Sequence, residues 1–128
     1  NKGPTLVIVK SNHGKVFGGF TDVAWESIVG TYKKSTNTFL FSVDRKAKYL
    51  LKQGHEAYAI YCNSGHGPTF GNGHDISICN DCNTVASSYT YFPYGYVCNE
   101  NVNPSTSDIL AGANNFTVTE IEVYSVSN

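Results

Sequence analysis

Ala57 to Asn83 reads AYAIYCNSGHGPTFGNGHDISICNDCN and holds four of the chain's twelve glycines, two of its four histidines and three of its four cysteines. Tyr58 to Cys62 and Asp75 to Cys79 have the apolar, β-branched and aromatic content of buried strands. Between them lies Gly65 to Gly73, where glycine opens backbone conformations closed to residues with a Cβ. Two strands joined through a glycine-rich turn predict a β protein, and the remainder of the chain extends the same pattern.

The 128 residues have room for one domain with a sizeable core, so neither a disulfide nor a metal is obligatory for folding. Aromatic residues reach 13% and charged residues only 15%, a balance that favours sheets over helical bundles. Nine basic and ten acidic side chains leave a net charge of -1, which supplies no general field for nucleic acid or an anionic membrane. Basic residues gather only at Lys33-Lys34 and from Arg45 to Lys48, so no nucleic-acid partner is expected. The apolar runs are far shorter than the ~20 residues a membrane-spanning helix needs, so no membrane insertion is expected either. A strand pattern begins almost at Asn1, without an initiator Met, which predicts a single domain cut or processed from a longer chain.

N-terminal to the central stretch, Thr5 to Val9 is a continuous apolar run, and Ser11-Asn12-His13-Gly14 carries turn chemistry before a second strand over Lys15 to Phe20. Trp25, Ile28, Val29 and Tyr32 fall at the i, i+3, i+4, i+7 spacing of one helical face, with Asp22 as a cap and Gly30 as an early stop. Trp25 is expected to anchor the core beneath that helix. Thr38 to Val43 and Tyr49 to Leu51 make another hairpin around Asp44 to Lys46. C-terminal to it, Ser87 to Tyr96 alternates tyrosines with small residues, as half-buried strand edges do, and Asn99 to Ala113 is a long polar connection with one helical turn near Ser107 to Leu110. Phe116 and Val118 share one parity and Ile121 and Val123 the other, so a bulge is expected between Thr119 and Ile121. These elements sum to a mostly β fold, a two-sheet antiparallel β-sandwich with one or two short flanking helices.

Cysteine carries the sharpest chemical signal. Cys79-Asn80-Asp81-Cys82 is a C-x-x-C, Cys62 lies on the paired strand, and Cys98 follows further on. Zinc would require four converging ligands, for which Cys79, Cys82 and Cys98 with His74 or Cys62 are the candidates, although a second close-spaced pair is missing. Disulfides among Cys62, Cys79, Cys82 and Cys98 suit an exported chain, and free buried thiols suit a reducing compartment; spacing does not choose. Nothing helical follows Cys82, against a thioredoxin-like role. Asp75, Asp81 and the nearby asparagines offer oxygens to calcium without the spacing of the calcium-binding loop. The glycine-rich segment lacks the Gly-Lys-Ser/Thr of a phosphate loop, and no Ser or Cys sits in a strand-to-helix elbow, so no catalytic residue and no obligatory cofactor is assigned. Asn115-Phe116-Thr117 is a glycosylation sequon that has meaning only in an exported chain.

Taken in order, Thr5-Leu-Val-Ile-Val-Lys, Gly14-Lys-Val-Phe-Gly-Gly-Phe, Trp25, Thr38-Phe-Leu-Phe-Ser-Val, Phe70-Gly-Asn-Gly-His-Asp-Ile and Phe116-Thr-Val-Thr-Glu-Ile-Glu-Val-Tyr resemble the TLDc domain across almost the whole chain. The version it resembles is the short, asparagine-rich one of single-celled eukaryotes. The resemblance implies a β-sandwich with short flanking helices and a glycine-shaped turn at Gly71 to His74. It also implies a non-enzymatic interaction role, tied in that family to oxidative-stress resistance and to binding and regulating the vacuolar proton ATPase. The cysteine cluster departs from the family pattern. A protein-binding module is therefore the first functional expectation. The alternative is a disulfide-stapled surface subunit that assembles with copies of itself.

Overall fold

A computed structural model describes residues 4–25, 30–62, 66–71, 73–79, 88–98, 103 and 108–126. Two antiparallel sheets face one another. The first contains β1 (Thr5–Ser11), β2 (Val16–Thr21), β4 (Phe39–Ser42), β5 (Ala47–Leu50) and β11 (Val118–Ser125), in the order β11-β1-β2-β4-β5. The second contains β3 (Thr31–Lys33), β6 (Ile60–Cys62), β7 (His66–Phe70), β8 (Ile76–Cys79), β9 (Ser88–Tyr89) and β10 (Asn115–Phe116), in the order β10-β9-β8-β7-β6-β3. The expected sandwich is thus present.

Alternation along each strand decides what the core contains. Val7 and Val9 of β1, Phe17 of β2 and Leu40 of β4 face Ile60 of β6, Phe70 of β7 and Ile76 and Ile78 of β8, all buried. Phe116 of β10 and, from the connections, Phe92, Tyr96 and Leu110 close the cluster. The sheets approach closely at Gly19, where an added Cβ would stand 2.7 Å from the Phe70 ring. Trp25 meets the same ring edge-on, with centroids 5.4 Å apart, and its indole Nε1 donates to Thr5 Oγ1 at 2.9 Å. It is the core anchor expected.

The helical elements differ from expectation. Among the described residues the helical content is one 3-10 turn, Glu56–Tyr58, which takes the start of the strand expected from Tyr58, so that β6 begins at Ile60. Much of the expected helix after Asp22 falls at 26–29, outside the described residues, and Tyr32 lies in β3, paired with Tyr61. At Tyr32 the helical spacing is coincidental, because a few apolar and aromatic residues satisfy either period until a partner strand selects one. Asp22 is not seen to cap a helix: its carboxylate accepts Ser35 Oγ at 2.7 Å and Asn37 Nδ2 at 3.0 Å, and these bonds hold its pKa below the ordinary value.

The glycine-rich segment is also mostly strand. His66 to Phe70 forms β7, and a turn follows it, with Gly71 at φ 86° and His74 N donating to Gly71 O at 3.1 Å. Pro68 has no N–H for the ladder, and the β7–β8 register slips between His66 and Thr69. The expected bulge in the last strand is present: Lys10 pairs with Glu120 but Ser11 pairs with Val118, leaving Thr119 as the extra residue.

Candidate functional site

The turn between β7 and β8 gathers the polar and aromatic side chains that no core position claims. Tyr61 points away from its buried neighbours Ile60 and Cys62, and its cross-strand partner Tyr32 shares that outer face. Their rings lie 4.7 Å apart, and Tyr58 meets Tyr32 edge-on at 5.3 Å. His74 enters from the turn in the left-handed region, φ 57°, which aims its imidazole back over the sheet. Its Nδ1 lies 2.8 Å from the Tyr89 hydroxyl and its Nε2 3.4 Å from the Tyr32 hydroxyl, with the Tyr61 ring 5.0 Å away. Burial raises the Tyr32 phenol above its ordinary value, and the phenols of Tyr61, Tyr89 and Tyr58 add to the shift. Four tyrosines and a histidine thus form one half-exposed surface on the six-stranded sheet.

The residue after His74 fixes the floor of this site. Asp75 is fully buried, and its carboxylate accepts N–H of Tyr94 at 2.8 Å and N–H of Gly95 at 3.0 Å on both oxygens. A Cβ at Gly71 would collide with that carboxylate, so the turn must pass as glycine. Burial pushes the Asp75 carboxyl up to about 7, against the backbone donors of Tyr94, Gly95 and Tyr96 that favour the ion. The loop it grips carries Tyr94, which packs against Gly73 and lies 5.6 Å from the Tyr91 ring and 5.9 Å from His55. Tyr96 then plunges inward, donating its hydroxyl to Ala59 O at 2.7 Å.

His74 meets a phenol hydroxyl at each ring nitrogen, Tyr89 at Nδ1 and Tyr32 at Nε2. Cys62 is a buried free thiol on β6, and Cys79 is a free thiol whose Sγ accepts Ser88 Oγ at 3.3 Å. Cys98 is partly buried against the core, and Cys82 and Asp81 lie outside the described residues. His74 precedes β8 and Cys79 ends it, and among the described residues no three His, Cys, Asp or Glu side chains are placed to hold a metal ion. Asp75, the calcium candidate among the described residues, is fully buried with both carboxylate oxygens accepting backbone N–H groups. Asn115 is exposed in β10 at the edge of its sheet. Among the described residues no helix is long and apolar enough to cross a membrane.

Sequence reasoning marked the tyrosines after Ser87 but missed that Tyr32, Tyr58 and Tyr61 join Tyr89, because the pairing is non-local. It also read Asp75 as a strand residue with an oxygen to offer calcium, not as the buried acceptor for the Tyr94–Gly95 backbone. The available signal was an acid set directly against the apolar Ile76-Ser77-Ile78 run. His74's positive φ has a direct test. His74→Ala should be less stable than His74→Gly by about 1 kcal/mol, because both lose the ring but only alanine keeps the Cβ penalty of a left-handed residue. Equal urea midpoints would contradict the conformation.

The TLDc domain model matches residues 1–127, and the chain belongs to the TLDc family. Among curated relatives, the MTOR-associated protein MEAK7 of Gallus gallus is 28% identical over 128 residues, covering all of this chain and 27% of that protein. The protein of the same name from Danio rerio is 33% identical over 65 residues, 51% of this chain and 14% of its own length, and that from Mus musculus is 32% identical over 65 residues with the same coverage. The chain therefore spans about a quarter or less of the length of these relatives.

Proposed function

We propose that this TLDc domain is a non-enzymatic protein-interaction module that docks on a larger assembly. The supporting observation is the half-exposed surface of Tyr32, Tyr58, Tyr61, Tyr89 and His74, because tyrosine offers large contact area at small entropic loss and is enriched where binding energy concentrates. The relatives' name, mTOR-associated, favours a multiprotein partner. Within the family the vacuolar proton ATPase is the assembly to test first, together with a link to oxidative-stress resistance.

Tagged domain passed through native extract should retain a stoichiometric partner, and Tyr58→Ser with Tyr61→Ser should reduce its recovery at least about tenfold, the loss of roughly one anchoring ring. Recovery of no stoichiometric partner would count against the module itself. Undiminished recovery by the double variant would count against this surface.

A further inference from the structure

The last strand presents a second surface of different character. β11 runs eight residues at the end of its sheet, and among the described residues no strand pairs with its outer edge. The opposite edge is treated otherwise: beyond β5, Leu51 bridges Tyr96, and Val97 N donates to Leu50 O at 2.8 Å. The edges of the other sheet, β10 and β3, are only two and three residues long. Alternate residues of β11 direct N–H and C=O away from β1, a template for another strand.

Its inner face is uncovered as well. Ile121 pairs with buried Val9 and Val123 with buried Val7, so both point to the core side of the sheet. Yet Ile121 is 37% and Val123 55% exposed, and the facing sheet ends, among the described residues, in the two-residue β10. An edge strand that is merely solvated ordinarily buries its inward apolar side chains. On the outer face Glu120 and Glu122 border a shallow groove of about 260 Å³ with Ile8, Lys10 and Val16. Lys10 pairs with Glu120 at 3.9 Å.

We infer that the free edge of β11 accepts an extended segment of a partner protein that alternates apolar and basic residues, adding a strand to the five-stranded sheet. Apolar side chains of that segment cover Ile121 and Val123 on one face, and its basic side chains meet Glu120 and Glu122 on the other, the two-sided recognition of strand addition. A second copy of this chain fits less well. Antiparallel registers centred on Ile121 or Glu122 set Glu120 against Glu122 or Glu122 against itself, and like charges opposite one another destabilise a pair. The inference rests on the interaction-module reading and assigns it a second contact surface.

The test uses a fluorescent synthetic peptide of alternating valine and lysine, with alternating valine and glutamate as control. Expected are saturable anisotropy with the lysine peptide, affinity falling with salt, slowed amide exchange in 118–125, and about tenfold weaker binding to the Glu120→Lys, Glu122→Lys variant. Equal binding of both peptides, or an unaffected variant, would overturn the assignment. Concentration-dependent dimerisation in sedimentation without peptide, lost in Val123→Asp, would overturn it in favour of a second copy. In native extract, a partner retained equally by wild type and Val123→Asp leaves the module intact through the tyrosine surface, and the peptide arm decides the edge. No partner for either removes the module, while the peptide arm still decides the edge.

Discussion

Asp75→Ala is expected to lower the unfolding free energy by about 2–4 kcal/mol, since it strips the acceptor from buried backbone donors at Tyr94 and Gly95 and leaves them unsatisfied. Against a domain stability of about 5–15 kcal/mol that is a large fraction. Chemical denaturation reads it directly. Asp75→Asn should fall between, because one amide oxygen survives while the amide nitrogen faces another donor. The pH dependence carries an opposite sign from the usual carboxylate. The folded pKa, about 7, lies above the unfolded value near 3.8, so the folded state binds more protons between those limits. Relative to Asp75→Asn, wild-type stability should therefore rise as pH falls from about 7 toward 4 and stay level below it. A difference that shrinks on acidification would show Asp75 to be ionised throughout.

The second large effect lies where the sheets meet. Phe70→Ala should cost about 3–5 kcal/mol, the loss of a fully buried ring that Trp25 and Gly19 enclose. Gly19→Ala alone should cost about 1–3 kcal/mol, because its Cβ would press on that ring at 2.7 Å. In the Phe70→Ala background the glycine substitution should cost less than about 1 kcal/mol, since the obstructing atoms are gone. Additive losses in the double-mutant cycle would show that the glycine is required for another reason.

These positions show what the chain discloses by itself. The hairpin from Thr5 to Thr21, the hairpin around Asp44 and the irregularity at Thr119 were legible because each depends on neighbours in sequence: turn residues, alternation and its interruption. The strand at Thr31–Lys33 was not, since a few apolar residues fit either period until a partner strand selects one. His66–Phe70 was hidden by glycine and proline, whose turn preference yields here to pairing with β8. The binding surfaces depend on still longer separations. His74 reaches Tyr32 and Tyr89 from different strands. The alternation of Ile121 and Val123 announces an inward face correctly, but only the extent of the facing sheet tells whether anything covers it.

The surplus residue at Thr119 also determines how the chain's end tolerates change in length. Val118 already meets Ser11 and Glu120 already meets Lys10, so deleting Thr119 would close the ladder without turning any later side chain to the other face. The bond from its hydroxyl to Lys10 O would be lost. Deleting Glu122 instead would invert Val123 and Tyr124 and place the phenol where the valine now stands. One position of this strand is therefore dispensable in length, and its neighbours three residues on are not.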